Sequence, residues 1–309
     1  MKKRNGFTLL EMLVVIGIIA ILGGVMLAQF SGSTESALAT SCMNNMRSLC
    51  NAVMADGSKE GYFPSAGPYK YIELAGTSVK TEWFQGWIGH AKGESKVSCY
   101  HSGMNEDQHY AITNGTVWRG IGGLETAYVC PSHLKYCKRG KMPTPSWSYV
   151  MNSYFGWDYG TAGSIELGRR KYGSGFFTFS YSSSPTSRKR PLEKVLLFAE
   201  IPYAENGVQK PQYSTSASEN NDAILQYGPD SKEVKKSDKT AAQGTGEVIG
   251  FNHKSGDDYS AHVAFADGHC TKLLMPRRAD EGNLRELTTW LCTGQEYTFN
   301  GSRYEPVSE

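Results

Sequence analysis

The sequence is short of net charge. Its 32 Lys and Arg stand against 30 Asp and Glu, a balance of +2, so no overall field selects nucleic acid or another polyanion. It has no internal repeat, and nothing in it reads as a solenoid or array. Strong helix formers are sparse beyond residue 30, where glycine (34 in the chain) and tyrosine (18) are plentiful. That mixture favours strands and long loops. Cys130, His133 and Cys137 do not show the Cys-x2–4-Cys spacing usual for zinc. The seven cysteines are compatible with an oxidising compartment, and the odd count leaves at least one unpaired. At 309 residues and 39% hydrophobic content the chain suits one or two globular domains. Mean hydropathy of −0.42 makes everything beyond residue 30 soluble in character.

The exception is residues 7–30, whose only polar side chains are Thr8, Glu11 and Gln29. As helix they measure about 36 Å, enough to span a hydrocarbon core of about 30 Å. Lys2, Lys3 and Arg4 place the N-terminus in the cytoplasm and residues beyond about 30 outside the inner membrane. A secretory signal would end at a small-residue cleavage site, and Ala28-Gln29-Phe30-Ser31 is a poor one. A plain anchor leaves Glu11 unexplained, since a carboxylate in lipid costs about 2.5–3.5 kcal/mol on insertion scales.

The string Lys2-Lys3-Arg4-Asn5-Gly6-Phe7-Thr8-Leu9-Leu10-Glu11 resembles the type III signal of type IV pilins and type II secretion pseudopilins. The resemblance implies cleavage between Gly6 and Phe7 by prepilin peptidase, N-methylation of Phe7, and retention of the apolar helix. It also supplies a partner for Glu11, the new α-amino group of a neighbouring subunit, which offsets the burial of both charges and sets register.

Helix is expected to continue to about residue 55, with Leu38, Cys42, Met46, Leu49, Val53 and Met54 forming an apolar stripe towards a head. Asp56-Gly57 reads as its stop. Residues 61–141 read as loops with short strands. Residues 146–155, 175–182 and 194–200 read as strands, and 206–246 as a flexible polar insert. Residues 261–274 read as a hairpin: strands at 261–266 and 269–274 flank an Asp267-Gly268 turn.

Further landmarks resemble the prepilin-type H-X9-DG group of pseudopilin-like proteins: Ser41–Leu49, Tyr128–Ser132, Ser148–Asn152, Leu196–Glu200, Phe251–His253 and Val263–His269. One departure is that His253 and Asp267 enclose thirteen residues instead of nine. Cys42 and Cys130 fall at family-like positions, which implies a disulfide from helix to head. Cys137 is the alternative partner for Cys130 across a closable loop. Glu200, His253, Asp267 and His269 have the chemistry for metal binding or acid–base work. Scattered over 70 residues, they and Gly268 are read as a structural motif. Asp257 and Asp258 are weak calcium candidates, since some type II pseudopilins hold calcium in their C-terminal loop. Trp83, Trp87 and Trp118 lie in Gly-rich loops, as core residues or as sugar-stacking faces.

The expectation is therefore an α+β, pilin-like chain. It comprises a leader (1–6), a transmembrane and assembly helix (7–30) and an extracytoplasmic head (31–309) with a mainly antiparallel sheet and long loops. The expected function is a structural subunit of a type II secretion or type IV pilus-like filament. Its partners would be prepilin peptidase/N-methyltransferase, other pilin subunits and the inner membrane, with no nucleic acid. No enzymatic activity and no cofactor beyond possible calcium are expected. The rival reading is a membrane-tethered protein whose head binds a glycan or other ligand.

Overall fold

The computed structural model describes residues 9–67, 69–74, 78–83, 85–89, 106–142, 144–153, 155, 176–181, 184–203, 223–225, 248–255, 257–277 and 279–307. Gly6 and Phe7 lie outside this set.

Helix α1 (Leu9–Glu60) runs for 52 residues, about 78 Å at 1.5 Å per residue. Its two halves have different surroundings. The large apolar side chains between Leu9 and Leu22 are exposed all round the helix, Leu9 at 81%. In the second half Cys42, Met46, Leu49, Cys50 and Val53 are fully buried, the expected stripe at 3–4 spacing. The helix continues through Asp56-Gly57, where the buried Gly57 extends the stripe by one more turn. It ends at Gly61, whose φ of +73° only glycine adopts freely and whose N–H donates to the Gly57 carbonyl at 2.9 Å. Among the described residues no helix is long and apolar enough to cross a membrane. The expected span, residues 7–30, reaches beyond the described residues and side chains.

In chain order there follow β1 (Tyr69–Leu74), β2 (Ser78–Trp83), α2 (Glu106–Thr113), α3 (Pro131–Gly140), β3 (Tyr149–Asn152), β4 (Phe176–Tyr181) and β5 (Ser184–Pro191). The chain then forms β6 (Leu196–Glu200), β7 (Ile224–Leu225), β8 (His253–Ser255), β9 (Asp258–Phe265), β10 (Cys270–Leu274), α4 (Glu281–Thr293), β11 (Tyr297–Phe299) and β12 (Tyr304–Pro306). The main sheet has the order β10-β9-β6-β3-β7. Strand β8 also pairs with β9, over its first residues, and the β3–β7 pair alone in this sheet is parallel. Helix α1 packs against β6, β8, β9, β10 and α3, and α4 packs against β6. The architecture is an α+β arrangement of a long helix on a mostly antiparallel sheet.

Strands β3, β4 and β6 fall within their expected segments. The hairpin turns at Asp267-Gly268, where Gly268 has φ +98°; β9 starts three residues earlier than expected, at Asp258. The polar insert needs a correction. Ala223, Ile224 and Leu225 are fully buried, and β7 pairs with β3. Three apolar residues inside a polar stretch suffice to cover the sheet edge; the rest of 206–246 lies outside the described residues. Helices α2, α3 and α4 were not expected at all.

Candidate functional site

Where α1 crosses the sheet, four side chains of opposite chemistry meet out of water. Cys42 comes from the buried stripe of α1, and Glu200 is the last residue of β6. His253 opens β8 and His262 sits in the middle of β9. Register explains the convergence: Ala199 pairs with Val263 across β6 and β9, and His253 pairs with Ser260 across β8 and β9. Glu200 and His262 are therefore cross-strand neighbours, and His253 follows on the same edge of β9. All four residues are buried, Glu200 and Cys42 completely.

The centre of the group is Glu200 Oε1. Cys42 Sγ donates to it at 2.7 Å, His253 Nε2 lies at 2.9 Å and His262 Nδ1 at 2.9 Å. The other carboxylate oxygen, Oε2, accepts from Asn252 Nδ2 at 3.2 Å. Tyr149 stands beside Cys42, its hydroxyl 3.2 Å from Sγ. Burial alone would push the Glu200 carboxyl up, but His253 and His262 outweigh it and hold Glu200 ionised. Burial would likewise lower His253, and the facing Glu200 carboxylate outweighs it and raises the imidazole above its usual range. Burial, followed by Cys130 and Glu200, pushes the Cys42 thiol well up.

A second layer surrounds this group. Cys130 Sγ is 3.4 Å from the Tyr203 hydroxyl and 3.8 Å from His253 Nε2. His133 stacks on Tyr203 with centroids 4.3 Å apart, and its Nδ1 is 2.8 Å from Ser148 Oγ. Burial pushes His133 down to about 3. Its unfolded-state value is about 6.5, so the unfolded chain binds more protons between those values and stability is lost as the pH is lowered through that window. The slope attributable to His133 should be about 1.4 kcal/mol per pH unit below pH 6.5. Urea midpoints of wild type and His133→Phe, compared down to about pH 5, should show the variant losing less stability on acidification. Parallel curves would refute the assignment.

The four-residue set expected from sequence is divided. Glu200 and His253 meet, whereas Asp267 and His269 pair with each other at the exposed hairpin turn, 2.6 Å apart. Asp257 and Asp258 stand exposed at the β8–β9 turn, outside the convergent group. The Cys130–Cys137 pairing is excluded by helix α3. Seven helical residues separate the two Cα atoms by about 10 Å along the axis, beyond the reach of a disulfide. Cys42 and Cys130 do come together, as neighbouring free thiols. Trp87 is buried, stacked on Tyr128, and donates its indole N–H to the Ala223 carbonyl at 3.0 Å. It offers no face to a sugar. Trp118 is half-buried against Tyr128, and the side chain of Trp83 lies outside those described. Sequence reasoning missed His262, Tyr149, Tyr203 and Asn252 as parts of a site.

Residues 1–27 match the family model described as the prokaryotic N-terminal methylation motif. The chain thus carries a prepilin-type cleavage and methylation signal, and with it the membrane association and the processing that such a signal directs. No curated protein and no solved structure shows significant similarity to the chain.

Proposed function

We propose that the protein is a pseudopilin-like structural subunit of a type II secretion or type IV pilus-like filament. It is a substrate of prepilin peptidase and N-methyltransferase, not an enzyme. The observation that carries this reading is the methylation motif at residues 1–27 running directly into α1. The exposed apolar half of that helix supports it. Large side chains bare on every face of a helix need a bilayer or other helices around them, and filament subunits use both in turn. The segment 7–30 anchors the unassembled subunit in the inner membrane, with the head on the periplasmic or extracellular side. The bland surroundings of Trp87 remove one support of the glycan-binding rival.

Mass spectrometry of the N-terminal peptide, from protein isolated out of its own membrane, tests the reading. A chain starting at N-methyl-Phe7 is expected. A chain retaining Met1, or cut beyond residue 30, would overturn it.

A further inference from the structure

We infer that Cys42, Glu200, His253 and His262 form a binding site for one divalent transition-metal ion, zinc by its donor set, which clips α1 to the sheet. The four ligating atoms all lie within 4.8 Å of one another. In a tetrahedral zinc site, bonds of about 2.0–2.3 Å place ligand atoms about 3.3–3.8 Å apart. Cys42 Sγ, His253 Nε2 and His262 Nδ1 retreat from Glu200 Oε1 by less than about 1 Å to admit the ion, and any pair near the 4.8 Å limit closes by about the same amount. One thiolate, two imidazoles and one carboxylate suit zinc over calcium or magnesium, which prefer all-oxygen shells.

Charge and supporting contacts agree with this assignment. A dication held by one thiolate, one carboxylate and two neutral imidazoles forms a centre of zero net charge, which burial tolerates. Metal ligands are held in place by outer hydrogen bonds, and three of the four have them here. Asn252 Nδ2 holds Glu200 Oε2, and the Tyr149 hydroxyl adjoins Cys42 Sγ. His253 Nδ1 lies 3.5 Å from Ser132 Oγ and 4.0 Å from Glu35. A groove of about 490 Å³ reaches His253 and His262 from the surface, between Glu35 and Arg47 of α1 and Lys254 and Lys272 of the sheet, and gives the ion a way in. Four protein ligands complete the shell, so the site is structural and leaves no position for substrate. It joins the filament-forming helix to three strands, β6, β8 and β9, and stands independently of how the filament reading fares.

The test uses the full chain in detergent, offered zinc and then dialysed, with metal counted by mass spectrometry and thiols counted in parallel. One zinc per chain should be retained. Cys42→Ser and His262→Ala should each lower retention about tenfold or more, while Asp267→Ala, at the exposed hairpin turn outside the group, should keep the metal. Cobalt in place of zinc should give wild type the ultraviolet thiolate-to-cobalt band. That readout does not depend on any variant folding. Failure to retain zinc with Cys42 free, or a cobalt complex without the thiolate band, overturns the proposal. So does a Cys42–Cys130 disulfide in protein taken directly from cells, because it removes the sulfur ligand.

Discussion

Glu200→Ala should destabilise the head by about 3–5 kcal/mol, measured by urea denaturation with a chelator present so that metal plays no part. The size follows from what the substitution leaves behind. Glu200 Oε1 has three polar neighbours within 2.9 Å, from Cys42, His253 and His262. Without the carboxylate, His253 loses its close counter-charge and keeps only the more exposed Glu35 at 4.0 Å, and Asn252 Nδ2 loses an acceptor. Removing one member of a buried charge pair costs far more than the pair contributes, because the other member stays buried. Against a typical domain stability of about 5–15 kcal/mol this is a large fraction. Asp267→Ala is the control. Asp267 and His269 are 35% and 45% exposed at a hairpin turn, where solvent screens the pair and the loss should stay below about 1 kcal/mol. Equal effects of the two substitutions, or a Glu200→Ala loss below about 1 kcal/mol, would show that the buried network contributes no more than a surface pair.

The same two residues show what the sequence could convey. Glu200 and Asp267 both end or follow a strand-like run, and no local pattern separates the acid that points inward from the one that caps a turn. His262 was hidden for a related reason. Residues 260–265 of β9 are buried on both faces, so the two-residue period that marks a half-buried strand carries no signal there. Legible features were those whose physics is local: the apolar run of α1, its 3–4 stripe, the apolar residues 196–199 of β6 and the Asp-Gly turn. Helix α4 was also within reach. Leu284, Leu287 and Leu291 keep helical spacing, and Asp280 caps the first turn by accepting from the Asn283 N–H at 2.8 Å. The polar residues Thr288, Thr289 and Thr293 masked it by their low helix propensity. The joining of Cys42 to residues more than 150 positions away follows from strand register and the docking of α1, which only the folded chain displays.

Glu11→Ala should leave processing intact and reduce incorporation into filaments about a hundredfold or more. Glu11 lies in the first turn of α1, amid apolar side chains that are bare in the single chain: Leu10 is 73% exposed and Met12 51%. Packing those faces against other helices removes water from Glu11. A carboxylate so buried requires a cation, and in the proposed filament cleavage after Gly6 would supply one on Phe7 of the neighbouring subunit. Loss of one partner strands the other charge at about 3–5 kcal/mol, and each 1.4 kcal/mol is a factor of about ten in association. The expected cleavage point lies five residues earlier in the sequence, so the N-methyl-Phe7 peptide should still be recovered from the variant. Comparing the sedimentable, crosslinkable fraction of wild type and variant supplies the measurement. Normal assembly by Glu11→Ala would remove the charge pair from the account of register. Loss of the processed N-terminus together with assembly would instead place Glu11 in recognition by the peptidase.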